Sequence, residues 1–268
     1  MYDQFLVAAA QMVSTDDVQA NIKNAAKLVH LAAQKGAQLV VLPEYFCLLS
    51  PRKQAKWEIA EEYGDGPIQQ ALREMAVAAN IWLVGGTLPI KSGENGRVFN
   101  TQLVFSPEGK VRARYDKIHL FSFSNGVESY NESKTVAAGE LPRAVDLPFA
   151  RVGLSTCYDL RFPELYRALG EVDLIVVPSA FTVTTGRAHW EPLLRARAIE
   201  NQAYVLAAAQ GGEHPGARRT WGHSMLIDPW GEIMAVNEQG EGLVVGEVNL
   251  ARIREVRNAL PALTHRVL

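Results

Sequence analysis

The stretch that most constrains this chain is Val152 to Arg167, VGLSTCYDLRFPELYR. The apolar run Ala150 to Leu154 predicts a buried strand. Pro163 with Glu164 opens a helix that Gly170 closes, because proline suits a first helical turn and glycine a C-terminal cap. So sharp a turn from strand to helix presents one side chain, Cys157, at a sheet edge. The backbone N–H groups of the next residues are then free to face a developing oxyanion. The alternative is that Cys157 is a small buried hydrophobe, and the rest of the chain has to decide.

Strand-like and helix-like runs alternate on both sides of this stretch. Phe5 to Ala10 predicts a first strand, and STDD leads into a helix with Val18, Ile22, Ala25, Val29 and Ala32 on one face. Gly36 ends that helix, and Ala37 to Leu42 is a second buried strand. A strand-helix-strand unit of this length favours a right-handed crossover and parallel pairing. Further on come a helix at Pro67 to Ala79 and strands at Ile81 to Thr87, Val98 to Phe105 and Val111 to Asp116. Phe121 to Leu147 shows little periodicity and reads as a long ordered loop. The second half continues with a strand at Leu174 to Val177, a helix at His189 to Asn201 and a strand at Ala203 to Ala209. A hairpin about Asp228 to Gly231, a strand at Gly242 to Val248 and a helix at Leu250 to Leu260 complete it. Both halves share a strand-helix-strand order, so the expected architecture is α/β, two sheets packed face to face with helices outside, in one domain spanning 1–268.

Composition narrows the function classes. With 48% hydrophobic and 21% charged residues and a net charge of −2, the chain is expected to be an ordinary soluble protein with no basic surface for nucleic acid. Asp3 stands where an export signal would be basic, and the first apolar run breaks at Gln11, so neither a signal peptide nor a membrane span is expected. Cys47 and Cys157 have no CxxC spacing, and the six histidines form no HxH or HExxH pattern. A reducing cytoplasm is expected, with no metal and no cofactor.

Three side chains end or follow strands in the same way: Glu44 after LVVLP, Lys117 after VRARYD and Cys157 after VGLST. Ligands gather at the carboxyl ends of strands in such sheets, so the three are expected to converge. A thiol needs a base or a lowered pKa. His119 lies two residues from Lys117, so in an extended segment it faces away from the site. LPEYF (Leu42 to Phe46), YDKIHLF (Tyr115 to Phe121) and STCYDLRFPELYR (Ser155 to Arg167) together resemble the nitrilase, or carbon-nitrogen hydrolase, superfamily, and the likeness runs from Phe5 to Arg266.

The resemblance implies a four-layer α-β-β-α sandwich and places the family's catalytic glutamate, lysine and cysteine on Glu44, Lys117 and Cys157. Its second glutamate falls on Glu132, in NESKTVAAG, with Glu128 as the rival. Glu44 would take the thiol proton, pass it to the leaving amine and activate the water that hydrolyses the thioester. Lys117 and the Tyr158 N–H would hold the oxyanion. Glu132 would orient Lys117. Arg161 matches an arginine that grips a substrate carboxylate in relatives, although an ion pair with Asp159 or Glu164 is equally open. A thiolate beside two carboxylates is costly, so Cys157 is expected to rest as a neutral thiol.

Cys47 is expected to be structural and Arg218 and Arg219 solvated. His223 is expected to satisfy a backbone group and Trp190 to pack in the core or an interface. The helix bearing Arg195, Arg197 and Glu200 is a candidate subunit interface, and the family commonly forms homodimers. Ser179 to Gly231 most resembles the Nit branch, whose members hydrolyse deaminated glutathione or act as omega-amidases on alpha-ketoglutaramate, and it is closest to the deaminated-glutathione amidases, with omega-amidase as the alternative. A small-molecule amide substrate follows, with a general aliphatic amidase or nitrilase as the broader enzyme alternative. A catalytically silent scaffold of the same fold is the alternative outside enzymology.

Overall fold

The computed structural model describes residues 3–267. Its first half runs β1 (Gln4–Gln11), α1 (Val18–Gln34), β2 (Leu39–Val41), α2 (Ala55–Glu58), α3 (Pro67–Ala79), β3 (Trp82–Val84), β4 (Leu88–Lys91), β5 (Val98–Phe105) and β6 (Val111–Asp116). Next come β7 (Ser122–Ser124), β8 (Ser129–Asn131), β9 (Val136–Ala137), β10 (Arg143–Asp146), β11 (Arg151–Leu154), α4 (Pro163–Ala168), β12 (Leu174–Ser179), α5 (Val183–Asn201) and β13 (Tyr204–Ala209). The last elements are β14 (Glu213–His214), β15 (Arg218–Arg219), β16 (Ser224–Ile227), β17 (Ile233–Asn237), β18 (Gly242–Asn249) and α6 (Leu250–Ala259).

Two sheets form the centre. One has the order β18-β1-β2-β3-β5-β4, with β6 and β9 also paired to β5; the other has the order β10-β11-β12-β13-β16-β17. β1, β2 and β3 are parallel, as are β11, β12 and β13. Period-two alternation builds the layers. Val7 and Ala9 of β1 face the other sheet and share a core with Val152, Leu154, Leu174, Val176 and Leu206. Ala8 and Ala10 face outward onto Ala25, Leu28 and Val29 of α1 and Ile68 and Leu72 of α3. On the far side, Ile175, Val177 and Val205 pack against Tyr166 of α4 and Trp190 and Leu194 of α5. Helix, sheet, sheet, helix is the α-β-β-α order expected.

The parallel strands bring their carboxyl ends to one edge, where the sheets are stitched together. Met12 donates its N–H to the Ala209 carbonyl at 3.3 Å and accepts from the Gly211 N–H at 2.9 Å. Gln102 Nε2 donates to the Ser155 carbonyl at 3.2 Å, tying β5 to the residue after β11.

Two expectations need correction. The 121–147 segment is not a loop throughout. β7 and β8 pair as a hairpin, residues 132–134 form a 3₁₀ turn, β9 joins the first sheet and β10 the second. Strands of two to four residues are too short for alternation to be read. The helix expected from His189 begins at Val183. Thr182 caps it, accepting the Thr185 N–H at 3.2 Å, and so overrides the weak helix preference of the Val-Thr-Thr run. None of the described helices is long and apolar enough to cross a membrane.

Candidate active site

Glu44 lies just beyond β2, Lys117 follows β6 and Cys157 comes two residues after Ser155, which itself follows β11. Cys157 opens a 3₁₀ turn, Cys157–Arg161, with its backbone at φ 50°, in the left-handed region that side chains other than glycine's rarely occupy. Thr156 and Asp159 close this turn reciprocally. The Asp159 N–H reaches the Thr156 carbonyl, and the Thr156 N–H donates to Asp159 Oδ2 at 2.9 Å. Tyr45, next to Glu44, has φ 58°, and its N–H donates to Thr87 Oγ1 at 2.8 Å. Both turns aim a functional side chain away from its strand.

The side chains of Glu44, Lys117, Glu132 and Cys157 meet around a cavity of about 150 Å³. Lys117 Nζ donates to Glu44 Oε1 at 2.9 Å and to Glu132 Oε2 at 2.7 Å, and all three side chains are buried. Asn100 Nδ2 donates to Glu44 Oε1 at 2.9 Å and to Glu132 Oε1 at 3.4 Å. The Tyr45 hydroxyl also donates to Glu132 Oε1, and the Phe121 N–H donates to Glu132 Oε2 at 2.8 Å. Gln210 Nε2 holds the Glu44 carbonyl at 3.1 Å. Cys157 shares the cavity lining with Glu44 and Ala180.

Charges set the protonation states. Burial pushes the Cys157 thiol well above the usual thiol range, and the Glu44 charge adds to this while Lys117 opposes it. Burial favours neutral Lys117, but Glu132 and Glu44 outweigh it and hold the ammonium charged. Burial would raise Glu132, yet Lys117, then Lys56, and hydrogen bonds from Lys117 and Tyr45 bring it down to about 2. A neutral sulfhydryl beside a lysine clamped between two carboxylates is the result.

Asp159, fully buried, fastens the Lys117 segment to the Cys157 turn. Besides the Thr156 N–H it accepts the Tyr115 hydroxyl at 2.6 Å and the His119 N–H at 3.0 Å, and its Oδ1 lies 2.7 Å from His119 Nδ1. His119 thus serves Asp159 and does not line the cavity. Glu128 lies elsewhere, accepting the Thr184 hydroxyl on an exposed face at 3.1 Å. The Tyr158 N–H stands in the first turn of the 3₁₀ segment, where N–H groups lack an intrahelical acceptor. Arg161 pairs with neither Asp159 nor Glu164. Its Nη1 lies 3.2 Å from His189 Nδ1, and it lines a smaller groove that also touches Cys157.

The remaining candidates separate cleanly. Cys47 is buried, pushed up to about 12 by burial, and does not line the Cys157 cavity. Arg219 faces solvent beside Glu213, whereas Arg218 lines the Cys157 cavity, contrary to the solvated reading of both. Neighbours along a strand point to opposite sides, which is why one arginine reaches the cavity and the other does not. Trp190 is buried and donates to the His223 carbonyl at 2.8 Å, and His223 Nδ1 lies 2.9 Å from the Trp221 carbonyl. Arg197 is spent inside the subunit on the Leu160 carbonyl and Glu200. Sequence reasoning missed Tyr45, Lys56 and Asn100 altogether. Of these only Tyr45, inside LPEYF, lay within a recognised motif.

This chain belongs to the carbon-nitrogen hydrolase family, whose model matches residues 6–258, and it is accordingly a hydrolase of carbon–nitrogen bonds. A deaminated glutathione amidase of Synechocystis sp. is 43% identical to it over 98% of this chain and 98% of its own length. The human omega-amidase NIT2 is 36% identical over 96% of this chain and 93% of its own length. The crystal structure of Saccharomyces cerevisiae Nit3, described as a member of branch 10 of the nitrilase superfamily, superposes with a TM-score of 0.87 at 30% identity, covering 99% of this chain and 97% of that one.

Proposed function

We propose that the chain is an amidase acting on a small carboxylated amide through a Cys157 thioester, with deaminated glutathione as its substrate. The observation that carries the reading is the buried Glu44–Lys117–Glu132 cluster against a protonated Cys157 thiol. In the resting state the proton stays on sulfur. As Cys157 attacks the amide carbonyl, Glu44, which lines the same cavity, takes that proton. The oxyanion is held by the Lys117 ammonium and the Tyr158 N–H, and one such donor is typically worth about 2.7–4 kcal/mol. Glu44 then returns the proton to the departing amine. In the second half Glu44 removes a proton from water, which attacks the thioester carbonyl, and the thiolate leaves to be reprotonated. Glu132 keeps Lys117 charged and aimed.

Arg161, at the second groove on Cys157, is assigned to a substrate carboxylate. Alpha-ketoglutaramate is the second substrate reading, supported by the 36% identity to the human omega-amidase NIT2. We further propose a single hydrolase domain that works in the cytoplasm, binds no nucleic acid and needs no cofactor. We also propose a homodimer. Ile199 of α5, and Trp230, Ile233 and Met234 of the β16–β17 hairpin, leave apolar side chains 39–51% exposed, a set suited to a subunit contact.

Amine and ammonia release from deaminated glutathione, alpha-ketoglutaramate and simple amides tests the reaction, with mass spectrometry of an acyl adduct on Cys157. Inertness toward all three with no adduct would leave the silent scaffold standing. Sedimentation velocity tests the dimer, which a monomer at micromolar concentration would exclude.

A further inference from the structure

Three cations and two carboxylates line the Cys157 cavity, and they are not matched. Lys117 lies between Glu44 and Glu132, a trio of net charge −1, so that with Lys56 and Arg218 added the lining carries a net charge of +1. Among the described residues neither makes an ion pair. Lys56 Nζ rests over the Tyr45 ring at 4.1 Å, and Arg218 Nε is buried without any hydrogen-bond partner. The two positive groups face one cavity and oppose each other, so burial and the nearby Arg218 lower the Lys56 pKa to about 8, with Glu132 only partly offsetting this. An orphaned guanidinium nitrogen and an unpaired ammonium in a partly closed space are costly unless an anion arrives. The larger surface groove of about 430 Å³ shows the contrast, since its Lys91 and Arg97 are neutralised by Glu62 and Glu94.

The second groove on Cys157 has the same character. It holds Arg161 and no carboxylate, and Cys157, Phe121 and Ala180 are common to both grooves. Cys157 therefore borders two cavities, each with a cationic side chain in its lining.

We propose that Lys56 and Arg218 form a carboxylate subsite on the opposite side of Cys157 from Arg161, so that the preferred substrates are dianionic amides with a carboxylate on each side of the scissile bond. The inference rests on the amidase reading and sharpens it. Deaminated glutathione carries a carboxylate on both the acyl and the amine side, whereas alpha-ketoglutaramate carries one on the acyl side only. Arginine grips a carboxylate through two parallel N–H bonds, and the orphaned Nε supplies one of them.

Four synthetic amides of equal length test this: glutaryl or pentanoyl as the acyl half, glycine or propylamine as the amine half. The wild type is expected to turn over glutarylglycine with a kcat/KM at least tenfold above either monoanion. R218Q and K56M should each reduce tenfold or more the advantage conferred by one of the two carboxylates, and R161M the advantage conferred by the other. Ratios within one variant cancel any general loss of folded enzyme. Protection of Cys157 from iodoacetamide by glutarylglycine supplies a readout independent of turnover, and R218Q should weaken it tenfold. Carboxylate advantages within twofold of wild type in both R218Q and K56M, or unchanged protection in R218Q, would overturn the subsite. Absent turnover with protection that still depends on Arg218 would overturn the amidase reading and keep the subsite.

Discussion

Replacing Lys117 by methionine keeps the reach of the side chain and removes the one charge that Glu44 and Glu132 share at 2.9 and 2.7 Å. Two carboxylates then face each other out of reach of solvent. Unit charges about 4 Å apart repel by about 4 kcal/mol at an effective dielectric of 20. That corresponds to about 3 pKa units, so one carboxyl of the pair in K117M rises from about 4.3 to about 7. A group raised in the folded state contributes stability below its unfolded value and loses it as pH climbs through the folded one. Wild-type Glu132, held at about 2, has the opposite sign: its contribution is present above its unfolded value of about 4.3 and is lost as pH falls toward 2. K117M should therefore lose up to about 4 kcal/mol between roughly pH 5 and 8, a window in which this cluster leaves the wild type flat. Urea unfolding across that range measures it, provided the m-value stays constant. Adding E132Q should flatten the K117M curve. A K117M profile parallel to wild type would refute the coupling of the two acids through this ammonium.

Further outcomes follow from single contacts. Alkylation of Cys157 by iodoacetamide should accelerate with pH without levelling off below about pH 9, where a plateau near neutrality would show a stabilised thiolate. Cys47, pushed up to about 12 and buried, should remain unlabelled, so mass spectrometry of native protein should find one adduct per chain. D159N removes a charged acceptor from Thr156, Tyr115 and His119 and should cost about 3 kcal/mol in urea unfolding together with a fall in kcat; unchanged stability would show that these bonds do not hold the turn. At Gly139 an added Cβ would lie 2.1 Å from the Asp116 carbonyl oxygen, beside Lys117, so G139A should unfold more readily by over about 2 kcal/mol and turn over more slowly. Gly170, at φ 70° with open space around it, is the control, and G170A should cost only about 1–2 kcal/mol.

The layers were legible because the central strands are apolar runs separated by helices of clear period, and so Glu44, Lys117 and Cys157 were expected to converge. The choice between Glu128 and Glu132 was not legible. Both sit in a segment of two- and three-residue strands, and only the 3₁₀ turn at 132–134 decides which one reaches Lys117. Lys56 and Arg218 were hidden for a related reason. One comes from a four-residue helix and the other from a two-residue strand, and no local pattern shows that distant cations will face one cavity. Asn100 is an uncharged residue in an ordinary strand, and only the fold reveals that it touches two acids.

The left-handed backbone at Cys157 has an evolutionary corollary. Glycine is the residue most at ease in that conformation, and it has no sulfur. Selection for a sturdy protein and selection for turnover therefore pull this position in opposite directions. A lineage no longer needing the reaction has a downhill mutational route open to it, and its descendants would be inert yet harder to unfold.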